Sequence, residues 1–213
     1  GCCDIVGVAR AHLADPGWCN QATAGNSESI TKCIGCLACF DEICHLRHVK
    51  CAVNPKTGRE REFARPERDG TGRTVVVVGG GPSGFTAARV LRERGFRVVL
   101  FDGSPRLGGM LNVADRGLGK EKITRLVDSM VVQAEGSGVE LRLGEEATVG
   151  KVKALAPCGV FLACGARPFI PPIPGIDGKN VTTAEDVLLG RSEVVGDCVV
   201  AGSGMTGLET AEV

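Results

Sequence analysis

The chain has 213 residues, 25 of them basic and 25 acidic, and this balance offers neither a nucleic-acid footprint nor a polybasic run for a membrane surface. Hydrophobic residues make up 43%, which suits a packed globular protein, and no apolar window is long enough to span a bilayer. The 31 glycines are about twice the average share, and their grouping in motifs points to tight turns and close ligand approach.

The opening residues, GCCDIVGVARAHLADP, carry no basic region and are too short for a signal peptide. The chain starts without methionine and stops inside an expected helix, so it reads as an internal segment of a longer protein. DIVGV (4–8) is a short apolar run followed by Ala9 and Arg10, and residues 19–32 are polar and irregular.

Residues 33–51, CIGCLACFDEICHLRHVKC, hold five of the chain's eleven cysteines. The odd number and the lack of a secretory context argue against a disulfide framework and for a reducing, cytoplasmic setting. Two residues separate Cys33 from Cys36 and Cys36 from Cys39, and Cys51 follows after eleven more. Such gaps let successive thiolates enter one metal site from a single loop, while a distant fourth closes it. Gly35 supplies a bend, and Ile34, Leu37 and Phe40 can shield the site from water. A four-cysteine zinc site is the alternative. A finger built on Cys33, Cys36, His45 and His48 lacks the longer middle segment and wider His spacing that it needs. Three closely spaced cysteines favour an iron–sulfur cube, with Cys33, Cys36, Cys39 and Cys51 as ligands, Cys44 left over, and His45 and His48 at the surface or around the site. Cys158, Cys164 and Cys198 lie in apolar runs and read as small buried hydrophobes.

Residues 54–73, rich in charge, Gly and Pro, read as surface linker. From Thr74 the pattern changes. Val75–Val78 is a strand apolar on both faces, Gly79–Gly84 a glycine turn, and the helix after it carries Ala87, Ala88, Val90 and Leu91 inward. Gly95 ends that helix, Arg97–Phe101 is the next strand, and Asp102 stands at its end. This is a βαβ unit with the dinucleotide fingerprint Gly79-x-Gly81-x-x-Gly84. Gly79 makes the turn, Gly81 lets a pyrophosphate approach the backbone, and Gly84 lets helix and strand pack closely. The helix N-terminus meets the diphosphate, and Asp102, eighteen residues beyond Gly84, is placed for a ribose.

Residues 121–135 read as an amphipathic helix, 139–143 as a strand, 149–155 as a weaker strand, and 160–164 as a fully apolar strand. ARPFIPPIPGIDG (166–178) suits an extended crossover, and 181–189 a short helical turn. Residues 198–201 read as a strand leading into a second fingerprint, Gly202-x-Gly204-x-x-Gly207, and a helix. Two fingerprints imply two nucleotide sites, one for FAD and one for a nicotinamide cofactor.

CIGCLAC, Cys51 and NPKTGRE together closely resemble the flavin oxidoreductases that include trimethylamine dehydrogenase and bacterial 2,4-dienoyl-CoA reductase. The resemblance covers nearly the whole chain. It implies an α/β fold class, with a Rossmann-like, disulfide-reductase-like FAD/NAD(P)-binding region preceded by the end of a TIM barrel and an iron–sulfur segment. The implied divisions are 1–29 for the end of an FMN-binding barrel, 30–66 for the [4Fe–4S] segment and linker, 67–196 for the FAD-binding part, and 197–213 for the start of the NAD(P)-binding domain. Arg10 matches the family's FMN-phosphate arginine. GGGPSG matches the FAD fingerprint, adding Pro82 and Ser83, the latter at a common alanine position. SPRLGGML matches the segment that wraps the FAD, through Arg106, Gly108 and Gly109. VFLACGARP resembles an Ala-Thr-Gly turn, with Cys164 in place of threonine before Gly165.

Signals for the subgroup are mixed. The gap between Cys36 and Cys39 is similar to amine dehydrogenases and demethylases, whereas the intact second fingerprint is similar to NAD(P)H-linked reductases. The resemblance implies a small-molecule substrate and one of two directions. Electrons pass from NAD(P)H through FAD and the cluster to FMN and an enoyl or dienoyl substrate, or from an amine through FMN and the cluster to an electron-transfer flavoprotein. A non-catalytic electron-transfer subunit is the third reading. The catalytic acid or base is expected outside the chain, and the choice of NAD or NADP and any homo-oligomer stay open.

Overall fold

The computed structural model describes residues 2–213. Its core is a parallel sheet of four strands in the order β3-β2-β1-β4: β1 Thr74–Val78, β2 Arg97–Asp102, β3 Glu140–Leu143 and β4 Gly159–Leu162. The register pairs Val76 with Val99 on one side and Val160 on the other. Parallel strands need crossovers, and the helices supplying them cover the sheet. Because β1 is buried on both faces, it reads as the unbroken run TVVVV, and Val76, Val77, Val99, Leu100 and Phe101 are fully buried. Burying each such side chain contributes about 1.5–3 kcal/mol.

The remaining helices, in chain order, are α1 Arg10–Ala14, α2 Trp18–Thr23, α3 Ala38–Cys44, α4 Glu60–Phe63, α5 Pro82–Glu93, α6 Leu111–Ala114, α7 Glu121–Gly136, α8 Val149–Ala154, α9 Ala184–Leu188 and α10 Met205–Glu212. One sheet face carries Val75, Val77, Val98 and Leu100 against Phe85, Ala88 and Leu91 of α5 and Leu126, Met130 and Ala134 of α7. The other face carries Val76, Val99 and Phe101 against Val152 and Leu155. No described helix is long and apolar enough to cross a membrane.

Several local expectations change. Where 149–155 is expected as a strand, Val149–Ala154 forms the helix α8. Val149, Val152 and Leu155 recur every three residues, and Thr148 caps the helix by accepting from the Lys151 amide. Residues 198–201 form no strand, because no described strand lies beside them, and an extended segment gains its ladder only from a neighbour. β4 is at the sheet edge, and Phe161 and Leu162 are exposed rather than buried. Cys158, Cys164 and Cys198 are exposed too, since they flank β4 or lie in the unpaired segment.

The polar stretch 19–32 contains α2 and a turn of 3-10 helix at Ser27–Ser29, and it is held down at several points. Asp15 accepts hydrogen bonds from the Gly17 amide (2.9 Å), the Gln21 side chain (2.8 Å) and the Thr31 amide (2.8 Å). Gln133 of α7 donates to the Ser29 carbonyl (2.6 Å) and to Thr31 Oγ1 (3.0 Å). Within 54–73, Asn54 and Thr57 both donate to the Leu13 carbonyl at 2.8 Å, and Thr57 is buried. The first part of that tract is thus a docked clamp on α1 rather than a free linker. Asp15→Ala strands three donors and is expected to destabilise the protein by about 2–3 kcal/mol, read as a lower denaturation midpoint with an unchanged slope.

Candidate functional site

Two sites emerge, joined through α7. The first is built from the cysteine loop. Cys33, Cys36, Cys39 and Cys51 all line one pocket, walled by Ile34, Leu37, Ala52 and Val53, with Arg10 and Leu13 of α1 on its rim. The backbone turns left-handed at Gly35 (φ 72°) and at Leu37 (φ 59°). A β-carbon at Leu37 makes that conformation unfavourable, so it persists only where the surroundings hold it. The double turn lets three cysteines from one short stretch face the same space, with α3 beginning at Ala38 immediately after it. Cys33, Cys39 and Cys51 are half-buried and Cys36 is exposed.

As the side chains stand, no group of three or more His, Cys, Asp or Glu among the described residues is placed to hold a metal ion. The four cysteines do line one pocket. Four soft donors with an apolar wall fit an iron–sulfur cube. Cys44 lies outside the pocket, and His45 is exposed on α3, its Nδ1 2.9 Å from the Asp41 carbonyl. Nearby, a hydrogen bond from Arg47 holds the Glu42 carboxyl below its ordinary range, against a smaller opposing effect of desolvation. This pairing belongs to the outer surface of α3 rather than to the thiols.

The second site lies at the C-terminal ends of β1 and β4, where the strand order reverses and ligands of doubly wound sheets bind. Gly79 is left-handed (φ 110°), and a β-carbon there would stand 2.2 Å from the Ala163 carbonyl oxygen. A β-carbon on Gly84 would stand 1.8 Å from the Gly79 carbonyl oxygen. Gly81 differs: its nearest neighbour would be the Gly109 Cα at 3.9 Å, so the fold itself leaves room for a methyl group. A glycine with room beside it, at the start of a helix with no side-chain cap, is a cradle for a group that must approach the backbone closely. Pro82 opens α5, with Ser83 in the same first turn.

Gly108 and Gly109 are left-handed as well, and the Gly108 amide donates to the Gly80 carbonyl at 3.0 Å. They wall the cradle from the other side. Asp102 stands at the end of β2, where its carboxylate accepts from the Gly80 amide and, at 2.7 Å, from the Ser104 amide. It thus braces the glycine turn. Arg106 pairs at 2.6 Å with Asp128 of α7. Cys164 lies beside the same turn, its Sγ 3.8 Å from the Val78 carbonyl, and Gly165 follows with φ 72°.

The second fingerprint repeats this local geometry without a strand. Gly202 is left-handed (φ 129°), and a β-carbon on Gly207 would stand 2.0 Å from the Gly202 carbonyl oxygen. Gly204 begins α10 with backbone angles of −74° and 176°, against −69° and 179° at Gly81. Lys120, just before α7, forms an ion pair with Glu209 of α10 and ties this unit to the first.

Sequence reasoning missed the residues that fasten these pieces: Asp15, Gln133, Asn54, Thr57, Lys120 and Glu209. Only the Asp15-Pro16-Gly17 turn chemistry and the NPKTG tract carried a local signal for them.

The model of the pyridine nucleotide-disulphide oxidoreductase family matches residues 73–213. The chain is 38% identical over 217 aligned residues to an NADH oxidase of Thermoanaerobacter brockii, covering 99% of this chain and 33% of that protein. The structure of a 2-naphthoyl-CoA reductase in complex with 2-naphthoyl-CoA superposes with a TM-score of 0.88 at 31% identity, over 96% of this chain and 31% of that one. A histamine dehydrogenase from Rhizobium sp. 4-9 superposes with a TM-score of 0.74 at 26% identity, over 89% and 31%. The chain therefore spans about a third of the length of these relatives. With its parallel sheet, its paired glycine turns and its cysteine loop, the chain belongs to the pyridine nucleotide-disulphide oxidoreductase family, among the multidomain flavin oxidoreductases that include trimethylamine dehydrogenase and 2,4-dienoyl-CoA reductase.

Proposed function

We propose that the chain is the electron-relay portion of an NAD(P)H-linked flavin oxidoreductase that reduces an activated alkene such as an enoyl or dienoyl thioester. The observation that carries this reading is the gathering of four cysteines on one pocket within the same fold as two glycine cradles. Cys33, Cys36, Cys39 and Cys51 would hold a [4Fe–4S] cluster. The turn from Gly79 to Gly84, with Gly108 and Gly109, would hold the FAD diphosphate. Gly202, Gly204 and Gly207 would hold the nicotinamide cofactor, and Arg10 an FMN phosphate. When bound, these groups supply hydride and single-electron transfer.

The chain's own work is positional. The uncapped starts of α5 and α10 offer amide donors to a diphosphate. The Asp15 and Leu13 contacts hold Thr31 and Asn54, on either side of the cysteine loop, at the end of α1, and Gln133 of α7 holds Ser29 before it. A cytoplasmic setting would keep the eleven cysteines as thiols. The two divisions at residues 66/67 and 196/197 would separate relay, FAD and nicotinamide parts.

The gap between Cys36 and Cys39 favours a second reading, an amine dehydrogenase delivering electrons to an electron-transfer flavoprotein. The two are separated in the full-length protein purified without oxygen. NADH or NADPH bleaching the flavin absorbance supports the reductase. Bleaching by secondary or tertiary amines, with neither nicotinamide active, overturns it in favour of the dehydrogenase.

A further inference from the structure

Two basic side chains lie beside the cysteine loop. Arg10 stands on the rim with the four thiols. Lys122, in the first turn of α7, places its Nζ 3.1 Å from where a β-carbon on Gly35 would be, inside the loop that joins Cys33 to Cys36. Neither forms an ion pair among the described residues, so no carboxylate there neutralises either charge. They come from different parts of the sequence, and α7 otherwise packs on the sheet and on the residues before the loop.

We infer that Arg10 and Lys122 are the charge-compensating residues of the cysteine pocket, stabilising the anionic cluster and raising its reduction potential. The inference rests on the proposed [4Fe–4S] ligation. Four thiolates make the oxidised site anionic, and one added electron increases that charge with no bond made or broken in the protein. A positive charge nearby favours the reduced form more than the oxidised one. Both side chains are exposed, so water weakens each contribution. Each is expected to be worth about threefold in the reduction equilibrium, near the aqueous end of the Coulomb range.

The test is a dithionite titration of the full-length protein, followed by the electron paramagnetic resonance of the reduced cluster. Dithionite gives one electron per cluster and is oxidised to sulfite. Arg10→Gln and Lys122→Gln should each lower the potential, and together shift the equilibrium about tenfold, about 59 mV for a one-electron couple. Lys122→Arg should restore the wild-type value, and added salt should shrink the difference. Released FMN is measured alongside, because Arg10 is also proposed at the flavin phosphate; Lys122→Gln isolates the charge effect. If the double variant loses its iron, the single variants carry the measurement. Potentials unchanged in both single variants, with iron and sulfide retained, overturn the inference alone. A wild-type protein without iron and acid-labile sulfide overturns the ligation and this inference together.

Discussion

Cys39→Ala in the full-length protein is expected to lower iron and acid-labile sulfide at least fivefold and to remove the broad visible absorption of an iron–sulfur centre. Cys39 sits in the first turn of α3, half-buried, on the pocket that it shares with Cys33, Cys36 and Cys51. In the proposed cluster, losing one of four thiolates would leave an iron corner without its ligand, and metal affinity of such a set is coupled to the fold of the loop. Cys44→Ala supplies the control. It ends the same helix and is exposed outside the pocket, so its iron content should stay at the wild-type level. Equal iron in both variants and the wild type would sink the assignment of Cys39. Stoichiometric zinc without sulfide would replace the cube with a structural zinc site.

Gly81→Ala and Gly84→Ala are expected to fail in different ways. At Gly84 the new methyl would meet the Gly79 carbonyl oxygen at 1.8 Å, and backbone must move because no flexible side chain can yield. Overpacking of this kind costs about 3 kcal/mol or more. The variant should therefore unfold at lower denaturant and lose FAD as a consequence. At Gly81 the fold has room, with Gly109 3.9 Å away, so the apoprotein should keep wild-type stability. Its methyl group would instead occupy the space a diphosphate needs, and FAD retention should fall at least tenfold. Thermal unfolding of the FAD-stripped proteins, together with released flavin per chain, separates the two. A Gly81→Ala protein that retains FAD would show that the cradle is not the diphosphate site.

The same contrast shows what could be read locally. TVVVV, the glycine turn and the helix after it stand in the sequence as a βαβ unit because each rests on neighbours in the chain: an apolar run, a helical period, a left-handed turn at Gly79. The spacing of Cys33, Cys36 and Cys39 is equally local, and the structure gathers them with the remote Cys51. The strand expected at 149–155 failed because alternation and a three-residue repeat overlap in VGKVKAL. Packing of Val152 and Leu155 under Phe101 selected the helix. The strand expected at 198–201 failed for the opposite reason: its apolar pattern is clear, but a strand is a pairing and not a property of one segment.

By itself, then, the sequence determined the Rossmann-like unit, the two glycine turns and the cysteine set, all carried by short-range pattern and backbone chemistry. Tertiary structure alone decided that Asp15 ties residues 17, 21 and 31 together, that Asn54 and Thr57 clamp Leu13, and that Arg10 and Lys122 meet the cysteine loop from separate elements. Those contacts join residues far apart in the chain, and a polar side chain's partner depends on which surfaces the core brings together, which no local period encodes.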